Sequence, residues 1–377
     1  MMALPARCGG NAVSHDIAHD WKLRIRDDEA VRVDSTRLLG FIARCYATLG
    51  LEPQAARDAA DVLVQADLLG KDTHGVALFP GYVGNVRSGA WNMRPRIAVV
   101  KETLNTALVD GDSGPGATVG RYAMEIAIAK ARTGAVGVVT VRNSRHFGAA
   151  GIYAQRALAH NQIGIAMTNA SAQVAPTFGS EPRFGTNPIA VAAPAGRYRY
   201  WALDMATSTV PHNRVTLAAR LGRAMPPGWV TDRQGAPVTD PATAREGRLL
   251  LPLGSSPAAS SHKGYGLAVW VDIMCGVLSG HGFGMHLPDG KVGHFFAAID
   301  VTAFIPLAQF RAMMDQMLDD LRATPTLAGE ERVLYAGEEE QAIEADRRAN
   351  GVPLHPATIA ELRRIGDEID VPWTLSS

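Results

Sequence analysis

Cysteine is scarce in this chain: 377 residues hold three, Cys8, Cys45 and Cys275, none in a CxxC pair. An odd count at wide spacing argues against a disulfide framework and against a cysteine-based zinc site. Cys45 and Cys275 fall inside apolar helical patterns and read as core residues, which fits a reducing, cytoplasmic compartment. Net charge is also lacking. Lysine plus arginine and aspartate plus glutamate stand at 37 each, so no overall field draws the chain to nucleic acid or to an anionic membrane. Long apolar runs are missing too. The longest apolar helical segment, 264–278, contains Asp272 and falls short of the ~20 residues that span a bilayer; it predicts a buried helix. The first 28 residues lack the apolar stretch of a secretory signal, and 1–30 are expected to form a poorly ordered extension. There is no HExxH, GxSxG, GxxxxGK[ST] or DxDxDG motif, so zinc peptidase, α/β-hydrolase, P-loop and EF-hand chemistries are unsupported and no metal site is expected.

What is present is a chain long enough for a substantial core, with alternating helical and strand-like periods. Leu38, Leu39, Ile42, Cys45 and Tyr46 recur at helical spacing over 36–49 behind a candidate cap at Ser35. Pro53 suits the first turn of a second helix that ends near 69, and a third helix is predicted over 78–87. Short strands are predicted at 98–100, 107–111, 136–141, 163–168, 189–193, 200–204 and 295–301, with helices at 117–133 and 149–160 between them. This interleaving predicts an α/β unit over 101–304 with a mixed or largely parallel sheet. The turn-rich stretch 211–257 reads as a surface excursion with short helices. Helices at 307–321, 338–350 and 358–368 close the chain, so 31–100 together with 305–377 are expected to form one discontinuous, mainly helical domain.

Candidate chemistry concentrates in a few segments. Lys71-Asp72-Thr73-His74-Gly75-Val76 breaks a helical pattern with a polar cluster, and histidine is the side chain that exchanges a proton near neutral pH. Arg142-Asn143-Ser144-Arg145-His146-Phe147-Gly148 follows a buried strand and precedes a helix, where α/β enzymes place ligands. Gly114-Pro115-Gly116-Ala117-Thr118-Val119-Gly120 imitates a dinucleotide fingerprint. It has proline between the glycines, and no acidic residue stands out at the end of a following strand. Asp204 ends an apolar strand and calls for a partner. Lys263 stands at a helix N-terminus, where it opposes the dipole unless an anion intervenes.

Taken in order, DTHGV (72–76), DGDSGPG (110–116), VRNSRHFGAAGIYA (141–154), IGIAMTNA (163–170), FGTNPIA (184–190), LDMATS (203–208), KGYGLA (263–268) and GVLSGHGFG (276–284) resemble the malate/L-lactate dehydrogenase family of NAD(P)-dependent oxidoreductases. This is the type unrelated to Rossmann dehydrogenases. The resemblance covers roughly 31–370. It implies a non-Rossmann nicotinamide-binding fold on a mixed sheet, a homodimer, NAD or NADP as cofactor, and hydride transfer at C2 of a small 2-hydroxy or 2-oxo acid. Reductases of cyclic imino acids and of diketogulonate-type sugar acids share the family, and a catalytically silent metabolite-binding homologue is a further alternative. By resemblance His74 gives and takes the proton, Thr73 and Asp204 fix its orientation, and some branches give the acid–base role to the position of His146. His146, Phe147, Gly148, Ala149, Ala150, Thr168, Asp204, Met205, Ala206, Gly337 and Glu338 would hold the dinucleotide. Thr186, Asn187, Lys263 and Arg145 would face the substrate. One departure stands out. The family commonly has an arginine four residues after the histidine to clamp a carboxylate, and here that residue is Leu78, leaving Arg145, Arg183 or Lys263 to compensate.

Overall fold

The computed structural model describes residues 25–243 and 249–375. Most of the expected N-terminal extension therefore lies outside the described residues. Glu29, near its end, pairs with Arg223 at 2.8 Å.

The chain begins with strand β1 (Val31–Val33) and helices α1 (Ser35–Thr48), α2 (Pro53–Leu68) and α3 (Phe79–Arg87). Asp34, not Ser35, caps α1: its carboxylate accepts from the Arg37 amide at 2.8 Å. Helix α2 starts with Pro53 at its first position and Glu52 as its cap. Strands β2 (Ala98–Glu102) and β3 (Thr106–Asp110), helix α4 (Gly116–Gly134), strand β4 (Val136–Ser144), the short helix α5 (Gly151–Ala154) and strands β5 (Gln162–Thr168), β6 (Ile189–Pro194) and β7 (Tyr200–Met205) follow. Helix α6 (His212–Arg220), the two-residue strands β8 (Val230–Thr231) and β9 (Leu249–Leu250), helix α7 (Ser261–Asp272) and strand β10 (Val292–Asp300) complete the central part. Helices α8 (Leu307–Arg322) and α9 (Glu338–Asn350), strand β11 (Val352–Leu354) and helix α10 (Pro356–Glu368) form the C-terminal part.

The main sheet has seven strands in the order β2-β3-β4-β10-β5-β6-β7. It is mixed, as expected, but not largely parallel: β3 with β4 is the parallel pair, and every other neighbouring pair runs antiparallel. Strand β10 lies between β4 and β5, with Phe296 opposite Val139 on one side and Ala166 on the other. Burial on both faces explains its unbroken apolar run. One contiguous core joins the helical front to the sheet: Phe41, Tyr46, Leu63 and Phe79 share a cluster with Met124, Val139, Tyr153 and Phe296. The ends of β4, β5 and β7 and the starts of β6 and β10 meet at one edge of the sheet, and the site lies there.

Two readings from the sequence change. Segment 264–278 is not a buried helix. It is α7 followed by a π-helical stretch, Ile273–Val277, and it exposes Leu267, Trp270, Ile273, Val277 and Leu278 along one face. The excursion over 211–257 is more than a surface loop. It has a small core of its own around Val215, Met225, Trp229 and Leu250, and α6 reaches the site.

Candidate active site

The cleft at this edge encloses about 420 Å³. Its walls come from the turn after α2 (Lys71, Thr73, His74), the loop before α5 (Gly148–Ala150) and Thr186 before β6. The end of β7 (Asp204–Ala206), Arg214 of α6 and Glu340 of α9 complete it.

The histidine turn is built from beneath. Asp67, buried in the last turn of α2, accepts the Val76 amide through Oδ2 at 2.8 Å. Burial raises its pKa well above the usual carboxylic range, with the nearby Asp72 charge adding to the rise. The carboxyl lies directly under Gly75: a Cβ there would sit 1.7 Å from Asp67 Oδ1. Arg347 of α9 donates to the Asp67 carbonyl and pairs with the Asp72 carboxylate, fastening the turn to the C-terminal helices. His74 thus projects from a held backbone, and its Nδ1 lies 2.9 Å from the Thr73 hydroxyl.

Asp204 does not bond His74, as the sequence had suggested. Its Oδ2 pairs with Lys71 Nζ at 3.2 Å, and Lys71 also lies 3.8 Å from Glu340. Burial opposes the lysine charge, but the two carboxylates outweigh it and hold the Lys71 pKa above its usual value. His74 falls to about 4, chiefly through burial; Asp204 partly offsets this, and the positive charges of Lys71 and Arg214 add to it.

His146 stacks on His74 with ring centroids 5.8 Å apart. Its Nδ1 accepts the Gly148 amide at 3.3 Å, so that nitrogen carries no proton, and the Tyr82 hydroxyl at 2.5 Å must also donate to it. The ring proton is therefore on Nε2. Burial, with the charge of His74 second, pushes the His146 pKa to about 3. Two such rings side by side cannot both be protonated near neutrality.

Of the residues expected at the dinucleotide, Gly148, Ala149, Ala150, Asp204, Met205 and Ala206 line the cleft. Gly148 has φ +79, a left-handed conformation that suits glycine, and it bends the backbone into a cradle before α5. Phe147 lies behind this wall, stacked on His294 at 4.6 Å. Thr168 is buried and bonds His294 Nδ1 at 2.8 Å. Gly337 packs against Ala202, and Glu338 pairs with Arg332 at 3.1 Å; from this helix it is Glu340 that reaches the cleft.

Of the residues expected at the substrate, Thr186 lines the cleft. Asn187 does not. It is fully buried, its Oδ1 accepts the Ala170 amide at 3.1 Å, and its Nδ2 donates to the Ala268 carbonyl and to Asp272. Arg145 donates to the Asp289 carbonyl at 2.6 Å, away from the cleft. Arg183 pairs with Glu181 at 2.7 Å, and Lys263 is exposed on α7. None of the three cations proposed to stand in for an arginine at position 78 lines the cleft, and Leu78 packs against the main core. Lys71, Tyr82, Arg214 and Glu340 belong to the site or its support without standing out as functional residues in the sequence. The polar turn 71–76 contains Lys71, but nothing in the local pattern of the other three marks a site.

A sequence profile of the malate/L-lactate dehydrogenase family matches residues 33–363. The chain belongs to the malate/L-lactate dehydrogenase family. It is 39% identical over 351 residues to a malate dehydrogenase of Pyrococcus horikoshii, covering 92% of this chain and 97% of that one. It is 37% identical over 327 residues to an L-sulfolactate dehydrogenase of Methanocaldococcus jannaschii, covering 85% and 92%. The crystal structure of malate dehydrogenase from Entamoeba histolytica superposes with a TM-score of 0.89 at 35% identity, covering 92% of this chain and all of that one. By family this chain is an oxidoreductase acting on CH–OH groups with a nicotinamide cofactor. The cleft fits such a group: it offers a glycine-bent backbone wall at Gly148–Ala150, with His74 among the residues that line it, while His146 stacks behind His74 and does not itself line the cleft.

Proposed function

We propose that this protein interconverts a small 2-hydroxy acid and its 2-oxo acid at the 420 Å³ cleft, with His74 as the proton donor and acceptor. The observation that carries the reading is His74 itself. It lines the cleft, its Nδ1 is engaged by Thr73, and the other ring nitrogen is left to meet a substrate oxygen. The backbone of Gly148–Ala150 and the segment Asp204–Ala206 would hold the nicotinamide end of NAD or NADP, which supplies or accepts the hydride at C2.

In oxidation, neutral His74 takes the hydroxyl proton as C2 loses hydride. In reduction, protonated His74 returns it to the developing alkoxide. Asp204 lies close enough to favour the charged ring, and Lys71 holds that carboxylate in place. His146, with its proton fixed on Nε2 by the bonds from Tyr82 and Gly148, is a standing donor. It stacks against the His74 ring from outside the cleft lining, so its part is to hold that ring in place. This division of labour favours His74 over His146 as the acid–base group.

The exposed apolar face of α7 and the π-helical stretch is assigned to a second copy of the chain, forming a homodimer. Trp270 and its neighbours recur every three to four residues, the spacing of a helix face that expects a partner.

The test follows absorbance of NADH and NADPH with a panel of 2-oxo acids and cyclic imino acids. Turnover is expected with 2-oxo acids and loss of turnover in His74→Ala with dinucleotide affinity retained. Cofactor binding with no 2-oxo acid turned over would reject the reading, and a His146→Ala variant that alone abolishes turnover would reject the assignment of His74.

A further inference from the structure

We propose that Asp272 is a positioning residue for the substrate wall: it holds Asn187 in a left-handed backbone conformation and so aims Thr186 and Pro188 into the cleft. The inference rests on the 2-hydroxy acid reading above and adds what keeps that wall in place.

The turn before β6 is unusual in its backbone. Thr186 and Pro188 both line the cleft, while Asn187 between them is fully buried. Asn187 has φ +37, in the left-handed region that costs a non-glycine residue energy. Proline follows it, and a residue before proline is disfavoured in helical conformations. Strain of this kind persists only where the surroundings over-determine it, and it collects at segments that meet ligands. Here the surroundings are explicit. The Asn187 Oδ1 accepts the Ala170 amide at 3.1 Å, and its Nδ2 donates to the Ala268 carbonyl at 2.9 Å and to Asp272 Oδ2 at 3.0 Å. The Thr207 hydroxyl donates to the Asn187 carbonyl at 3.0 Å, and the Thr207 amide donates to the Thr186 carbonyl at 2.9 Å.

The chemistry of the anchor requires a carboxylate. Asp272 is buried at the end of α7 and does not line the cleft, so it acts through Asn187. The orientation of both neighbouring amides is fixed by backbone donors. The Ala170 amide takes the Asn187 oxygen, and the Gly293 amide takes the Asn169 oxygen at 2.8 Å. Each therefore turns its NH2 group toward Asp272. Asn169 Nδ2 donates to Oδ1 at 3.0 Å, and the Gly284 amide reaches the same oxygen at 3.2 Å. Donors thus face both oxygens, and an acceptor-only side chain satisfies all of them. Burial raises the Asp272 pKa, and these three donors oppose the rise. An amide at position 272 could serve Asn169 and Gly284 with its oxygen, but would set NH2 against NH2 at Asn187.

The experiment compares wild type, Asp272→Asn, Asn187→Gly and Asn187→Ala with a 2-oxo acid that the wild type reduces. Dinucleotide affinity is followed by fluorescence of the reduced cofactor. KM for the acid is expected to rise about 10-fold in D272N, the size of one lost hydrogen bond to a charged group. Its kcat and dinucleotide affinity should stay near wild type, because the His74 turn is held separately by Asp67. A general defect in folding lowers the active fraction, and with it kcat, while leaving KM alone. N187G and N187A lose the same side-chain bonds, but glycine takes the left-handed conformation freely. N187A is therefore expected to have the higher KM of the two, by about 5-fold, and this pair carries the test if D272N does not fold. A folded D272N with unchanged KM overturns the proposal, as does an N187A that matches N187G. A crystal structure of D272N reads the turn without turnover: residues 186–188 are expected to shift while His74 and Asp204 stay, and an unmoved turn overturns the proposal. A wild type that reduces none of the 2-oxo acids rejects the underlying function instead, and the crystal structure still decides the role of Asp272.

Discussion

In the proposed reaction His74 releases a proton in one direction and carries one in the other. In the free protein its pKa is lowered to about 4, far below the ~6.5 of an unperturbed histidine. A depressed value means that the neutral, proton-accepting form persists as pH falls. For oxidation of a hydroxy acid, kcat/KM is therefore expected to stay level from pH 7 down through about pH 5, where an ordinary histidine would be mostly protonated, and to break near pH 4. A break near pH 6.5 in the rate profile would show that His74 is not held as described. At this scale the site is only partly legible in the sequence. His74, Thr73, Thr186 and the run Asp204–Ala206 stand in recognisable motifs and line the cleft. Arg214 and Glu340 come from helices more than a hundred residues downstream and reach the cleft only through tertiary packing. Asn187, read from its motif as facing the substrate, is used instead to join the Ala170 backbone to Asp272 and Ala268. A motif identifies a residue's neighbourhood, while burial decides which way the side chain turns.

At the scale of elements, the turn that follows α2 depends on a contact with no tolerance for added atoms. Gly75 is not there for its backbone angle, since its φ of −87 is open to any residue. It is there because Asp67 fills the space a side chain would need. Gly75→Ala is expected to destabilise the fold by about 1–3 kcal/mol, the usual cost of overpacking, and to lower kcat by displacing His74. Urea titration and steady-state rates on the same preparation check both parts. A variant of unchanged stability and full activity would mean that the turn relaxes freely. Most elements were foreseeable from periodicity, because α1, α2, α4, α8, α9 and α10 are amphipathic over long stretches and most strands of the sheet are short apolar runs. Direction in the sheet was not foreseeable: strand β10 is nearly 150 residues from its neighbour β4 in sequence, and alternating helices and strands look the same for either strand order. The one-sided nature of α7 was hidden for a related reason. A helix apolar all round reads the same whether its outer face meets its own core or another molecule.

For the molecule as a whole, the proposed dimer rests on that outer face. Trp270→Glu together with Ile273→Glu places two charges on it without touching the cleft residues. Light scattering is expected to report a dimer for the wild type and a monomer for the variant; a dimer in both would assign the contact to another surface. The sheet's strand order carries a consequence of a different kind, for how the protein is made. Strands β4 and β5 are synthesised early, yet β10, which comes between them, leaves the ribosome only after residue 300. Until then the two flanking strands have no native neighbour on their facing edges, and closing that gap needs contacts of long sequence separation. Such pairing is slow and leaves strand edges open to wrong partners. The nascent chain therefore passes through a long interval in which its most apolar strands are unprotected, and it ends only when the last of the seven strands is threaded into the middle.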